Sequence, residues 1–300
     1  MPIILPKGLA SAVLLRSEGI EVLHRSPRPS STLRVGLINL MPDMIRTEVQ
    51  FARLLGSTDR YVEIVLAMPP SYRSDRDETA HYERWSETSL PRRLDGLIVT
   101  GAPLEFLPFE DVRYWRELVC IFDWAARNVA STLYVCWAAF AALYSFHGVR
   151  TRILPQKISG VFQQHVVETT DPLMAGLAAT FPCPVSRHAE VDARDVTCQR
   201  GLNCLAQSSQ SGLCLVSDAA RNAYYMFNHL EYDADTLKVE YLRDRARRAG
   251  TTFSPHTLQN HNSLKAACRD WRRPAEMVFA NWLAIVAAQV HSVGDLNHVA

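Results

Sequence analysis

Short apolar runs alternate with amphipathic segments through the first half of the chain. Leu33 to Leu40, Val62 to Ala67, Leu94 to Thr100 and Leu133 to Val135 have the length and continuity of buried strands. Thr47 to Leu55 and Tyr114 to Asn128 carry apolar residues at helical spacing. In the second of these, Trp115, Leu118, Ile121, Phe122 and Ala125 share one face. A short helix, Ala12 to Ser17, and a strand, Ile20 to Leu23, precede them. The second half is richer in strands: Val161 to Val167, Val185 to Val191, Leu202 to Gln207, Leu213 to Val216 and Ala223 to Phe227. Asp235 to Arg248 is a helix with an acidic start and an arginine-rich end, as the helix dipole favours. Trp271 to Val290 closes the chain as an apolar-faced helix.

Strands and helices alternating at these lengths predict an α/β fold, with a mostly parallel sheet covered by helices on both faces and a strand-rich second half. Ligands in such sheets bind at the C-terminal ends of the strands. The turns after Leu40, Thr100 and Val135 all fall on that edge. Ser71 to Arg93 breaks the pattern with a polar, charge-rich stretch, a candidate insertion or mobile flap. No linker stands out, so residues 1–300 are expected to form one domain.

Composition narrows the function. Hydrophobic residues make up 48% of the chain, enough for a sizeable core. The net charge of +1 provides no global field for nucleic acid or an anionic membrane, which directs attention to a local site with small-molecule substrates. Lys7, Lys157, Lys238 and Lys265 are the only lysines, so each invites scrutiny. Seven cysteines are an odd number and contain no CxxC pair. The expectation is reduced thiols in a cytoplasmic protein, with neither a disulfide framework nor a metal site. The longest apolar run, Leu133 to Tyr144, is too short to span a bilayer. The N-terminus lacks the basic start of a signal peptide.

Cys136 stands between the run Leu133–Val135 and an alanine-rich helix. A residue at such a strand-to-helix turn is pushed out of the backbone beside unpaired helix N–H groups, where a thiolate nucleophile is well placed. A buried structural cysteine has the same local signature. A nucleophilic cysteine needs a base and a group to orient it. His229 and Glu231, spaced i, i+2 after a strand, could supply both. His188 and Glu190 have the same spacing, and spacing does not choose between the pairs.

Several ordered motifs do choose. Asn39-Leu40-Met41-Pro42, Thr47-Glu48, Thr100-Gly101-Ala102-Pro103-Leu104-Glu105, Tyr114-Trp115, Cys136-Trp137, Ser186-Arg187-His188 and Glu231-Tyr232-Asp233 occur in sequence, continued by Asp235-Thr236-Leu237, Glu240-Tyr241 and Arg243-Asp244. Together they resemble the homoserine O-succinyltransferase family over nearly the whole chain. The resemblance implies a class I glutamine amidotransferase-like (flavodoxin-like) fold, a homodimer and a role in methionine biosynthesis. It implies ping-pong acyl transfer with no bound cofactor, in which acyl-CoA acylates Cys136 and the hydroxyl of homoserine then takes the acyl group. His229 matches the base and Glu231 its orienting carboxylate. Lys157, Ser186 and Arg243 match substrate-binding positions. Glu105 matches a donor-selecting position and is expected to go with succinyl-CoA, with acetyl-CoA the alternative donor and serine an alternative acceptor. Backbone N–H groups of Gly101, Ala102 and Trp137 are candidates for an oxyanion hole. The chain departs from the family pattern at Met44, Ala138, Phe140, Asn228 and Ser254 to Leu258. A glutamine-hydrolysing amidotransferase and a binding homologue without turnover are rival readings.

Overall fold

The computed structural model describes residues 2–73, 79–86, 93–247 and 261–296. The first half contains β1 (Ile3–Ile4), α1 (Ala10–Ser17), β2 (Val22–Leu23), β3 (Thr32–Ile38), α2 (Met44–Leu55), β4 (Tyr61–Met68), β5 (Glu83–Arg84), β6 (Gly96–Val99), α3 (Trp115–Asn128), β7 (Ser131–Val135) and α4 (Trp137–His147). The second half adds β8 (Arg152–Val166), β9 (Thr180–Glu190), α5 (Ala193–Thr197), β10 (Leu202–Ser208), β11 (Gly212–Asp218), β12 (Ala223–Met226), α6 (Thr236–Arg247) and α7 (His261–Leu296).

All the strands join one sheet in the order β2-β1-β4-β3-β6-β7-β12-β11-β10-β8-β9, with β5 beside β4. From β2 to β12 the pairings are parallel, and beyond β12 they are antiparallel. The parallel strands are almost continuously apolar because helices cover both faces. Their register places the site. Ile38 pairs with Val99, Val99 with Tyr134, and Val135 with Met226. The turns beginning at Asn39, Thr100, Cys136 and Phe227 therefore emerge side by side on one edge.

Helix α7 closes the sheet with buried Phe279, Trp282 and Val286. Trp282 Nε1 donates to Ser131 Oγ at 3.0 Å, and its ring lies so close to Gly96 that a Cβ there would meet it at 2.9 Å.

Several elements differ from the sequence pattern. Strand β8 starts nine residues before Val161, because its outer part pairs only with β9 in a half-exposed ribbon that no buried apolar run announces. Its register slips between Ile153 and Ile158, around Pro155, as strand prolines require. Strand β1 and helix α5 are too short to have a periodicity. The described parts of the stretch 71–93 make contacts with the body of the fold. Tyr82 and Trp85 are buried, Trp85 packs on Trp124 at 4.8 Å, and Ser71 N donates to Glu117 at 2.8 Å. Residues 74–78 and 87–92 of that stretch lie outside the described residues, as does the departure at Ser254 to Leu258.

Candidate active site

Cys136 occupies the turn between β7 and α4 with φ 51° and ψ −116°. This is one of two non-glycine residues with positive φ among the described residues. Such a conformation costs on the order of 1–3 kcal/mol and persists only where the surroundings impose it. Here the Cys136 N–H donates to Met226 O at 2.7 Å, which ties the turn to β12. Trp137 and Ala138 open α4, and N–H groups at a helix start have no intrahelical acceptor. Gly101 packs directly on this turn. A Cβ at that position would lie 3.2 Å from Cys136 Cβ and 3.7 Å from Trp137 N, so only glycine fits without displacement. The three proposed oxyanion positions, Gly101, Ala102 and Trp137, thus border one thiol.

The departures near this turn are absorbed by packing. Ala138 is fully buried inside a regular helix, and Phe140 packs on Phe227 with ring centroids 5.0 Å apart. Asn228 accepts a hydrogen bond from the buried Arg187 guanidinium. Met44 is fully buried at the first turn of α2.

His229 follows β12 on the same edge. Its backbone N–H donates to Pro184 O at 2.8 Å, and its ring stacks on Tyr232 at 4.1 Å. His229 Nδ1 lies 2.6 Å from Glu231 Oε1. A carboxylate only accepts, so Nδ1 carries the proton and Nε2 is left for Cys136. Burial works against a charged ring. The Cys136 thiolate and the Glu231 carboxylate outweigh it and hold the His229 pKa well above its ordinary value. The rival pair is arranged differently. The His188 ring packs on Phe106 at 4.9 Å, and Glu190 pairs with Arg152 at 2.6 Å.

One pocket gathers Gly101, Ala102, Glu105, Cys136, Lys157, Ser186, His229 and Arg243. Glu231 lies behind it, on the far side of His229. Five participants have no role assigned from sequence: Met41, Pro103, Tyr232 and Glu240 in the wall, and Asp244 behind it. Glu240 accepts from Ser186 Oγ and from Tyr232 OH, the latter at 2.9 Å. Lys157 Nζ donates to Asp244 at 2.6 Å, and Arg243 pairs with Asp244 at 3.0 Å. The i, i+3, i+4 spacing of Glu240, Arg243 and Asp244 is a polar helix stripe visible in sequence. Burial, reinforced by Glu240, raises the Glu105 pKa against the opposing pull of its own backbone N–H, Lys157 and Arg243.

Two cations and two carboxylates in one small pocket suit a zwitterionic amino acid. Arg243 is the planar fork available to an α-carboxylate. Arg243→Lys is expected to raise the KM for the amino-acid substrate roughly tenfold or more, while the first acylation of the enzyme is spared. Single-turnover release of thiol from acyl-CoA, compared with steady-state KM, checks this. A slowed first step with unchanged acceptor saturation would refute it.

Comparison with known proteins follows the same lines. The family model described as "Homoserine O-succinyltransferase" matches residues 2–293. The chain is 41% identical over 295 residues to a homoserine O-acetyltransferase of Chelativorans sp. (strain BNC1), covering 94% of this chain and 93% of the relative. It is 38% identical to a homoserine O-acetyltransferase of Brucella canis, covering 94% of each. Among solved structures it is similar in fold to a glutamine amidotransferase from Thermotoga maritima, with a TM-score of 0.56 at 9% identity over 85% of this chain and 98% of that one. A glutamine amidotransferase from Methylobacillus flagellatus also has a TM-score of 0.56, at 11% identity over 85% of this chain and 95% of that one. At such identities the likeness establishes the class I glutamine amidotransferase-like fold and no shared activity. A family match over nearly the whole length, with relatives this close end to end, makes the chain a member of the homoserine O-succinyltransferase family and therefore an acyltransferase.

Proposed function

We propose that the protein transfers an acetyl group from acetyl-CoA to the side-chain hydroxyl of L-homoserine, by way of a thioester on Cys136, as an acylation step of methionine biosynthesis. The Cys136 thiolate attacks the thioester carbonyl, and the oxyanion is met by N–H groups at Trp137 and the Gly101-Ala102 turn. The C–S bond to CoA breaks and CoA leaves as its thiol, taking the proton from His229. Homoserine then enters, His229 Nε2 takes its hydroxyl proton, and the alkoxide attacks the acyl-enzyme. Collapse releases O-acetylhomoserine and restores the Cys136 thiolate. Glu231 orients the ring and balances the imidazolium.

The donor assignment departs from the succinyl expectation, and Glu105 is the observation that carries it. The family's name and the names of the relatives point to different acyl groups. The Glu105 carboxylate lines the same pocket as Cys136. A succinyl group would bring a second carboxylate toward it in a poorly solvated space, where like charges repel strongly. An acetyl group brings none.

The test measures kcat/KM for acetyl-CoA and succinyl-CoA with homoserine, on the native protein and on Glu105→Gly. The native protein is expected to favour acetyl-CoA. Glu105→Gly is expected to shift the ratio toward succinyl-CoA by at least about tenfold. The native preference should also narrow as pH falls, because protonation through the raised Glu105 pKa removes the repelling charge. A native preference for succinyl-CoA would overturn the donor assignment and leave the Cys136 chemistry standing.

A further inference from the structure

The pocket around Cys136 is small and already crowded with the groups that handle the acyl carbon and the amino acid. An acyl-CoA donor must therefore leave its pantetheine arm and nucleotide outside. The rim shows where. Few large apolar side chains are exposed among the described residues. Phe106 and Leu107, 53% and 48% exposed, directly follow the pocket residue Glu105. Val239 and Leu242 are also exposed, on α6 beside Glu240 and Arg243.

The Phe106 ring does not stand alone. It packs on His188 at a centroid distance of 4.9 Å. His188 lies two residues beyond Ser186 on β9 and so shares its face, which is the face that lines the pocket. Two residues further along that face is Glu190, paired with Arg152 across the β8–β9 ribbon at 2.6 Å. The Arg152 side chain is 70% exposed. Ser186 to Glu190 covers about 13 Å of strand. In order, this line presents the thioester site, an apolar aromatic shelf and an exposed guanidinium. The donor presents in the same order a thioester, a mostly apolar arm and phosphates.

We infer that the outer face of β9, with the Phe106–His188 shelf and Arg152 at its end, seats the pantetheine arm and phosphates of the acyl-CoA donor. Phe106 and Leu107 bind the arm by apolar contact. Arg152 meets the phosphates as a guanidinium fork. None of the three touches the reacting atoms, so all act on donor binding alone. The inference rests on the acetyl-CoA reading.

The experiment is steady-state kinetics on the full chain with two donors. One is acetyl-CoA. The other is S-acetyl-N-acetylcysteamine, a thioester that lacks the rest of the pantetheine arm and the phosphates. Phe106→Ala and Arg152→Ala change exposed side chains. Each is expected to raise the KM for acetyl-CoA, roughly tenfold for Phe106→Ala, with kcat and the homoserine KM unchanged. Neither should alter kcat/KM for the short thioester. Raised salt should weaken acetyl-CoA binding to the native protein more than to Arg152→Ala. An unmoved acetyl-CoA KM in Phe106→Ala, or an equal loss with both donors, overturns the inference. So does conversion of a dimer to a monomer by Phe106→Ala in sedimentation, which would give the shelf to a second copy of the chain. If the native protein does not turn over acetyl-CoA, the donor reading falls, and that failure is visible before any variant is made.

Discussion

Cys136→Ser is expected to reduce homoserine acylation by about 10⁴-fold. Serine keeps the geometry of the turn but exchanges an ionisable thiol for a hydroxyl that stays protonated. The native protein, mixed briefly with acetyl-CoA and no acceptor, should carry a hydroxylamine-sensitive acetyl adduct on the peptide containing Cys136. Competing thiols differ in kind. Cys183 is fully buried, and burial together with Cys214 pushes its pKa well up, so it supplies little thiolate. Cys120 is exposed on α3 and does not line the pocket that holds Cys136. An adduct mapped to either, with Cys136→Ser active, would falsify the assignment. The strained turn adds an independent readout. Cys136→Gly should be inactive yet more stable by on the order of 1 kcal/mol in denaturant unfolding, because glycine takes positive φ at little cost. A nucleophile held in an unfavourable conformation is expected to show this opposition of stability and function.

Much of the arrangement around that thiol could be read from sequence, and the reason is local. The central parallel strands β3, β4, β6 and β7 are mostly buried, so each leaves an apolar signal, and the turn after each falls on the ligand edge by the rules of the fold. Cys136 and Gly101 sit at such turns, and His229 follows β12 on the same edge. What was not legible depends on pairing. Lys157 comes to the site on the outer part of β8, whose residues are half exposed and give no apolar pattern until β9 is laid against them. Within the described part of the polar stretch 71–93, Tyr82 OH donates to Glu48 Oε1 at 2.7 Å and accepts from Asn39 Nδ2 at 2.8 Å. Nothing in its polar composition announces these buried partners. Spacing alone does not choose between His229–Glu231 and His188–Glu190; the ordered motifs favour the first. Both pairs have the same spacing, but the second is committed elsewhere, its ring to Phe106 and its carboxylate to Arg152.

His229→Asn is expected to lower both half-reactions, each by about 10²–10⁴-fold, whereas His188→Asn should leave kcat nearly unchanged. The difference follows from what surrounds His229. The negative charge of a thiolate at Cys136 and of the Glu231 carboxylate favours the imidazolium, the acid that the proposed mechanism needs for release of CoA. Acylation removes the thiolate, and with it one of the two anions that hold the proton. The His229 pKa then falls, and the ring becomes the base that homoserine requires. On the proposed mechanism the acyl group itself thereby switches the residue from acid to base. Glu231 tests this reading through the sign of a pH shift. Glu231→Gln keeps an oxygen for the Nδ1 proton but removes the remaining anion, so the imidazolium is less favoured and the pKa drops. The rate of acyl transfer to homoserine rises with pH as His229 loses its proton. In Glu231→Gln that acid limb should move to lower pH, even as the plateau rate falls. Pre-formed acetyl-enzyme mixed with homoserine across a pH series measures it. A limb that moves to higher pH, or an intact limb in His229→Asn, would show that the carboxylate and the imidazole are not the coupled pair that works on Cys136.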